Sequence, residues 1–299
     1  KKDFIEFCDK NLDWLEDYSM FCALKKANNN LSWNLWDVRI EANDKDIENE
    51  KILQFLFFMQ WNELKSYCNL KGIEIIGDMP IYVSYDSVDV WANSELFQLD
   101  QKGYKIAEAG CPPCAFHDKG QVWGNPLYDW NAHKNTQFDW WVRRFQKLFD
   151  MVDIIRLDHF IGFLRYWKLP ANSTSADNGY WVRVPGDKLF DELLKQFKSP
   201  RIIAEDLGDI NEEVINLREK YAFPGMKVIQ FESIDALESI PSYNYNSVTY
   251  TGTHDNNTTK GWLDEMSSQQ KEHIKKQICS LETDINWSLI DCAMHSGSQ

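Results

Sequence analysis

The chain has 299 residues, with Lys+Arg 32 against Asp+Glu 46 and a formal net charge of -14 at pH 7. That length holds one large domain or two small ones, and the acidic balance argues against nucleic acid and anionic membrane as partners. Aromatics make up 14%, with 13 Trp; their flat faces suit both cores and sugar rings, and cores take most of them.

The cysteines number 7, an odd count at irregular spacing. This pattern fits reduced thiols and a cytoplasmic location better than a disulfide framework. Cys111-Pro112-Pro113-Cys114 has C-x-x-C spacing with His117 close behind. No second ligand pair stands near, so no metal is expected there. No signal peptide is visible. The most apolar run, 52–59, is too short to span a bilayer and is interrupted by Gln54. The first residue is Lys1, and the expectation is a piece of a longer chain.

In chain order, apolar residues at helical spacing predict a helix over 4–26, and a second over 46–70 with Gly72 as its stop. An apolar, β-branched strand follows over 73–83. Residues 84–131 lack periodicity and are rich in Gly, Pro, Asn, Asp and Trp. Such a stretch is too long for a connecting loop and reads as an inserted subdomain or lid over a site. A helix is expected over 138–149, then a strand over 152–158. Residues 165–187 form a second irregular excursion, and a helix covers 188–197. The remainder alternates: strand 201–205, helix 211–221 with Asn211 as N-cap, strands 226–231 and 247–255, then helices 264–279 and 284–295.

Strands alternating with helices predict a parallel sheet. Several of these strands end in charged or hydrogen-bonding groups, as in the active face of a (β/α) barrel; a doubly wound sheet does the same. Asp158, Glu205 and Asp255 each close a separate strand. Alternation puts Arg156 and Asp158 on one face, and a guanidinium beside a carboxylate keeps it ionised. Asp158 therefore suits a nucleophile. Glu205, flanked by Ala204 and Leu207, suits a general acid with a raised pKa. Asp255 completes the trio by binding sugar hydroxyls. A retaining pair of carboxyls is expected about 5–5.5 Å apart. The alternative for such a trio is a Mg²⁺ or Mn²⁺ site; the many aromatics favour sugar.

Four stretches resemble the signature blocks of the 4-α-glucanotransferases, the amylomaltases or disproportionating enzymes related to α-amylases. They are Gly77-Asp78-Met79-Pro80-Ile81-Tyr82-Val83, Arg156-Leu157-Asp158-His159-Phe160, Ile203-Ala204-Glu205-Asp206-Leu207-Gly208 and Thr251-Gly252-Thr253-His254-Asp255-Asn256. Ser87 to Asn93, Gln121 to Trp130 and Phe223 to Val228 are similar to further hallmarks of that family. The resemblance covers nearly the whole chain, in order.

It implies an α/β fold, the (β/α)8 TIM barrel of the α-amylase type with inserted subdomains. The chain would hold only about strands 3 to 7, as a partial catalytic barrel over 1–299 with the inserted subdomain or lid over 84–131. It implies retaining transfer of α-1,4-glucan segments between malto-oligosaccharides through a covalent intermediate, without cofactor or metal. Asp158 is then the nucleophile, Glu205 the acid/base and Asp255 the transition-state stabiliser, with Asp78, Trp123, Arg156 and His254 contacting sugar. The substrates implied are malto-oligosaccharides and starch- or glycogen-derived α-1,4-glucans, with no nucleic-acid or membrane partner. One loop departs from the family pattern: Cys114 stands where an Asp is expected, followed by Ala115, which bears on acceptor preference. A plain α-glucan hydrolase and a truncated, non-catalytic glucan-binding fragment remain as rival readings.

Overall fold

Asn11 splits the first predicted helix into α1 (Lys2–Lys10) and α2 (Leu12–Ala27). Its side chain donates to the Phe7 carbonyl at 2.7 Å and accepts from the Trp14 indole at 3.0 Å, the local competition with helix bonding that Asn offers. This computed structural model describes residues 1–113, 118–278 and 284–299. The chain divides into two units, Lys1–Ile155 with Ile161–Pro200 and Arg156–Phe160 with Arg201–Gln299.

In the first unit, α3 (Asp44–Leu70) starts at Asn43, whose side chain accepts from the Lys45 N–H. It stops where the sequence predicted. Gly72 has φ 74, and the Gly72 and Ile73 N–H groups donate to the Asn69 and Cys68 carbonyls at 3.0 and 2.9 Å, which closes the orphan carbonyls in a Schellman turn. Strand β1 (Ile76–Met79) is shorter than predicted, because Pro80 has no N–H to continue a ladder. Gly77 is required here: a Cβ on it would stand 2.7 Å from a Val152 methyl.

The irregular stretch after β1 contains α4 (Val88–Ala92), β2 (Ala107–Cys111), β3 (Gln121–Pro126) and the start of α5 (Trp130–Asn135). It is followed by α6 (Asp139–Met151) and β4 (Ile154–Leu157). The second excursion forms β5 (Arg165–Pro170) and β6 (Tyr180–Arg183), ahead of α7 (Gly186–Gln196). The two excursions build one antiparallel sheet in the order β3-β2-β5-β6. Residues 84–131 therefore share their sheet with a hairpin about forty residues on; the sequence hides this because strands this short give alternation too few residues to register. Beneath lies an aromatic core. Tyr128 packs 5.0 Å from Trp141 and donates its hydroxyl to the Ile81 carbonyl at 2.6 Å.

The unit boundary falls inside β4, and its last residues open the second unit. There β7 (Ile202–Ala204) is followed by the Glu205 N–H donating to the Leu157 carbonyl at 3.0 Å. Asn211 caps α8 (Glu212–Lys220) by accepting from the Val214 N–H, as predicted. Strand β8 (Gly225–Val228) runs parallel to β9 (Ser247–Tyr250), with Gly225 opposite Ser247. The predicted strand 226–231 ends early, in a 3-10 turn at Ile229–Phe231. The predicted helix 264–279 becomes α9 (Thr259–Asp264) and α10 (Ser268–Gln277), because Ser267 and Gln270 form a capping box that starts a new helix. With α11 (Ile285–Met294) these helices bury Leu263, Ile274 and Leu289 against Ile229, Leu237 and Ile240. Each such side chain contributes roughly 1.5–3 kcal/mol by leaving water.

Candidate active site

Strand β4 delivers Arg156 and Asp158 as alternation requires. Ile155 and Leu157 are fully buried on the other face. Arg156 is itself 7% exposed, which leaves its guanidinium little water to lean on. One Nη stands 3.6 Å from Asp158 Oδ1, and the other 3.0 Å from Glu205 Oε2. The sequence reading gave this cation to Asp158 alone; the guanidinium is in fact closer to Glu205. The reason is sheet geometry. β7 lies beside the end of β4, so the residue just past β7 comes level with Arg156, 49 residues away in sequence.

Glu205 Oε2 also accepts the His159 N–H at 2.7 Å. That N–H is aimed by a left-handed backbone, φ 48 at His159, a conformation that costs a non-glycine residue about 1 kcal/mol or more. The Phe160 N–H binds the Glu205 carbonyl at 3.0 Å, so this turn grips Glu205 by backbone and by side chain. Asp158 is among the groups that raise the Glu205 pKa. One guanidinium reaches both carboxylates.

Burial dominates the titration of Glu205. Desolvation pushes its carboxyl up to about 8, the His159 N–H and Arg156 oppose the rise, and the Asp158 charge adds to it. Two carboxyls in contact share a proton more readily than either loses its own. His159 is held low, at about 4, by desolvation, so its imidazole is neutral near pH 7.

The next residue has a different task. Asp206 Oδ1 accepts the Met226 N–H at 2.7 Å, and its Oδ2 pairs with Arg218 Nε at 3.1 Å. Asp206 thus ties the end of β7 to β8 and α8 while Glu205 faces Arg156.

Asp255 and His254 follow β9 on a loop. They are 64% and 69% exposed and pair with each other at 3.5 Å. The loop itself is fixed. Asn256 Oδ1 accepts the Thr253 N–H and hydroxyl at 2.7 and 2.8 Å, and its amide donates to Gln230. Asp78 and Trp123 belong to the first unit. Asp78 helps line a cavity of about 470 Å³ with Asp89, Trp140 and Arg144. Trp123 is half-buried on β3, its indole donating to Gln121 at 2.7 Å and its ring 6.0 Å from Tyr82.

The sequence reading missed three things: the His159 N–H, the Asp206–Arg218 brace and the Gln230–Asn256 clamp. All three stand on or beside the four motif blocks. Their roles depend on backbone direction and cross-strand neighbours, which side-chain chemistry does not announce. Among the described residues no group of three or more His, Cys, Asp or Glu is arranged to hold a metal ion, and no helix is long and apolar enough to cross a membrane. Cys114, Ala115 and His117, singled out in the sequence, lie outside the described residues.

The sequence profile of the 4-alpha-glucanotransferases matches residues 1–299. The chain belongs to the 4-alpha-glucanotransferase family. It is 43% identical over 316 residues to the 4-alpha-glucanotransferase of Synechocystis, covering 99% of this chain and 62% of that protein. It is 40% identical to that of Clostridium butyricum, covering 97% and 63%. Among solved structures, the amylomaltase of Streptococcus agalactiae in complex with acarbose superposes with a TM-score of 0.91 at 35% identity, over 99% of this chain and 63% of that one. The amylomaltase of Corynebacterium glutamicum, at 21% identity and a TM-score of 0.73 over 97% of this chain and 40% of its own, shares the fold. The chain thus has the α/β fold of the family and spans under two thirds of the relatives it matches.

Proposed function

We propose that the protein of which this chain is part is a retaining 4-α-glucanotransferase acting on malto-oligosaccharides and related α-1,4-glucans. The observation that carries this reading is the Glu205 carboxyl, lifted to about 8 by burial and sharing the Arg156 guanidinium with Asp158. A carboxyl that keeps its proton at neutral pH can protonate a glycosidic oxygen as the bond breaks. Asp158, one third exposed and beside the Arg156 guanidinium, attacks the anomeric carbon as that bond breaks, giving a covalent glycosyl ester. Glu205, now a carboxylate, takes the proton from the 4-hydroxyl of an acceptor sugar. That hydroxyl displaces Asp158, and configuration is retained after two inversions.

In this reading Arg156 offsets the charge that passes between the two carboxyls, and Asp255 and His254 hold sugar hydroxyls. Asp78 and Trp123 supply further sugar contacts. A cytoplasmic location rests on the odd number and irregular spacing of the 7 cysteines.

Incubation with maltotriose, followed by mass analysis of the products, tests the reading. Oligomers both longer and shorter than maltotriose support transfer. Glucose and maltose alone indicate a hydrolase, and unchanged maltotriose indicates a binding protein; either outcome overturns the proposal.

A further inference from the structure

The β2–β3 pair carries a bulge at the residue assigned to sugar. Gly110 faces Val122 while Glu108 faces Pro126, so two steps along β2 span four along β3. The surplus falls at 123–125, where Gly124 has φ 75. Bulges of this kind re-aim a side chain, and here that side chain is Trp123.

An ion pair with its carboxylate buried holds the bulge in place. Glu108 is 2% exposed. Lys105 Nζ lies 2.7 Å from Glu108 Oε2 and donates to the Gly124 carbonyl at 2.6 Å. The other carboxylate oxygen accepts the Ser173 N–H at 2.8 Å. On the far side of the bulge, the Asn125 amide donates to the Val83 carbonyl at 2.9 Å. Burying the Glu108 charge is a poor way to gain stability, since apolar residues of similar volume commonly do as well. What the pair supplies that apolar residues do not is a directed donor on the Gly124 carbonyl, one residue past Trp123.

We propose that Lys105 and Glu108 are positioning residues that fix the bulge at 123–125, and with it the pose in which Trp123 meets a glucose ring of the substrate. This rests on the reading of Trp123 as a sugar contact. Lys105 supplies the hydrogen bond to the bulge. Glu108 holds the ammonium in line and anchors it to the turn at Ser173, which follows β5.

The test compares the paired swap Lys105→Met with Glu108→Leu, which leaves no unpaired buried charge, with Trp123→Ala and with all three changes together, each in the full-length enzyme. Initial rates of maltotriose disproportionation and thermal melting are read for each. The paired swap is expected to raise KM roughly fivefold while kcat stays within about twofold, since a mispositioned binding contact weakens capture more than chemistry. In the Trp123→Ala background the swap adds nothing further. Glu108→Gln, which keeps the shape of the side chain, gives the same KM trend in smaller measure if the swap fails to fold. An unchanged KM in the swap or in Glu108→Gln, while Trp123→Ala raises it, overturns the positioning role alone. Effects that multiply in the triple variant overturn it as well. An unchanged KM in Trp123→Ala removes the sugar contact and this inference together.

Discussion

Arg156 places a guanidinium nitrogen 3.0 Å from Glu205 Oε2, yet the Glu205 carboxyl still titrates at about 8. A nearby cation lowers a carboxyl's pKa, and burial raises it. Here burial wins, with the Asp158 carboxyl pushing the same way. The Glu205 carboxyl is therefore raised by desolvation, and the cation moderates the rise.

The first prediction follows from that balance. The acid form of Glu205 is present below about 8, so kcat/KM for maltotriose falls as pH rises through that value. Glu205→Gln lowers kcat by about 10²–10⁴-fold, the usual worth of a general acid, and removes the alkaline limb. A limb that persists unchanged in Glu205→Gln would assign it to another group.

Stability falls in the same direction. The folded pKa of Glu205 lies above the unfolded value near 4.5. Its contribution to stability is fully present below the unfolded pKa and is lost as pH rises towards the folded one. Glu205→Gln, which stays neutral, should raise the melting temperature at pH 8 relative to the parent and change it little at pH 4. Equal shifts at both pH values would show that charge burial is not what Glu205 costs the fold.

Arg156 can be tested separately. Arg156→Met removes the cation from both carboxyls, so the alkaline limb set by Glu205 should move to higher pH while kcat drops about 100-fold. Lys is not an adequate substitute, because one ammonium lacks the fork that reaches two carboxyls. A limb that stays at the parent position would mean that Arg156 does not act on Glu205.

A fourth prediction concerns acid stability. His133 is fully buried, ringed by Tyr128, Trp130, Trp140 and Trp141, and desolvation holds its imidazole down to about 4. Its folded pKa lies below the unfolded value near 6.5. The unfolded chain therefore binds the extra proton as pH falls from about 6.5 to about 4, and stability falls over that window. The total loss is on the order of 3 kcal/mol for such a shift. His133→Phe should flatten urea-unfolding free energies across the window, and an unaltered slope would point to other groups.

The sequence revealed the strands that matter because their ends are chemically loud. Arg156, Asp158 and Glu205 advertise a site, and the structure brings these three together. Asp255, equally loud, stands on an exposed loop with His254. What stayed hidden was carried by backbone. The His159 N–H that binds Glu205 depends on a positive φ, and its side chain says nothing of it. The antiparallel sheet was hidden too, since β2 and β5 pair across about sixty residues and each is too short for periodicity to register. Pro80 and the Ser267–Gln270 capping box were visible punctuation, and they explain why β1 and the helix after 264 differ from the periodic reading.

The last prediction addresses that exposed loop. Strand β9 ends at Tyr250, and nothing in sheet geometry holds residues 253–256 beyond it. Asn256 does so instead: its carbonyl oxygen takes both the Thr253 N–H and the Thr253 hydroxyl, and its amide reaches Gln230 just past β8. Gln230 in turn donates to the Thr259 hydroxyl at 3.3 Å, at the start of α9. Gly252 makes room for the clamp, since a Cβ there would stand 2.5 Å from the Gln230 amide. Asn256→Ala breaks three hydrogen bonds at a largely solvated turn, so the cost in global stability should be small, about 1 kcal/mol. The cost to function should be larger, because His254 and Asp255 lose a fixed direction, and misplacement by about 1 Å can cost up to 100-fold in rate. The expected result is a kcat for maltotriose disproportionation lowered about tenfold or more, with a melting temperature within a few degrees of the parent. Gln230→Leu should reproduce the loss in part. A kcat near the parent value in Asn256→Ala, with the fold intact, would show that Asp255 does not need this clamp to work.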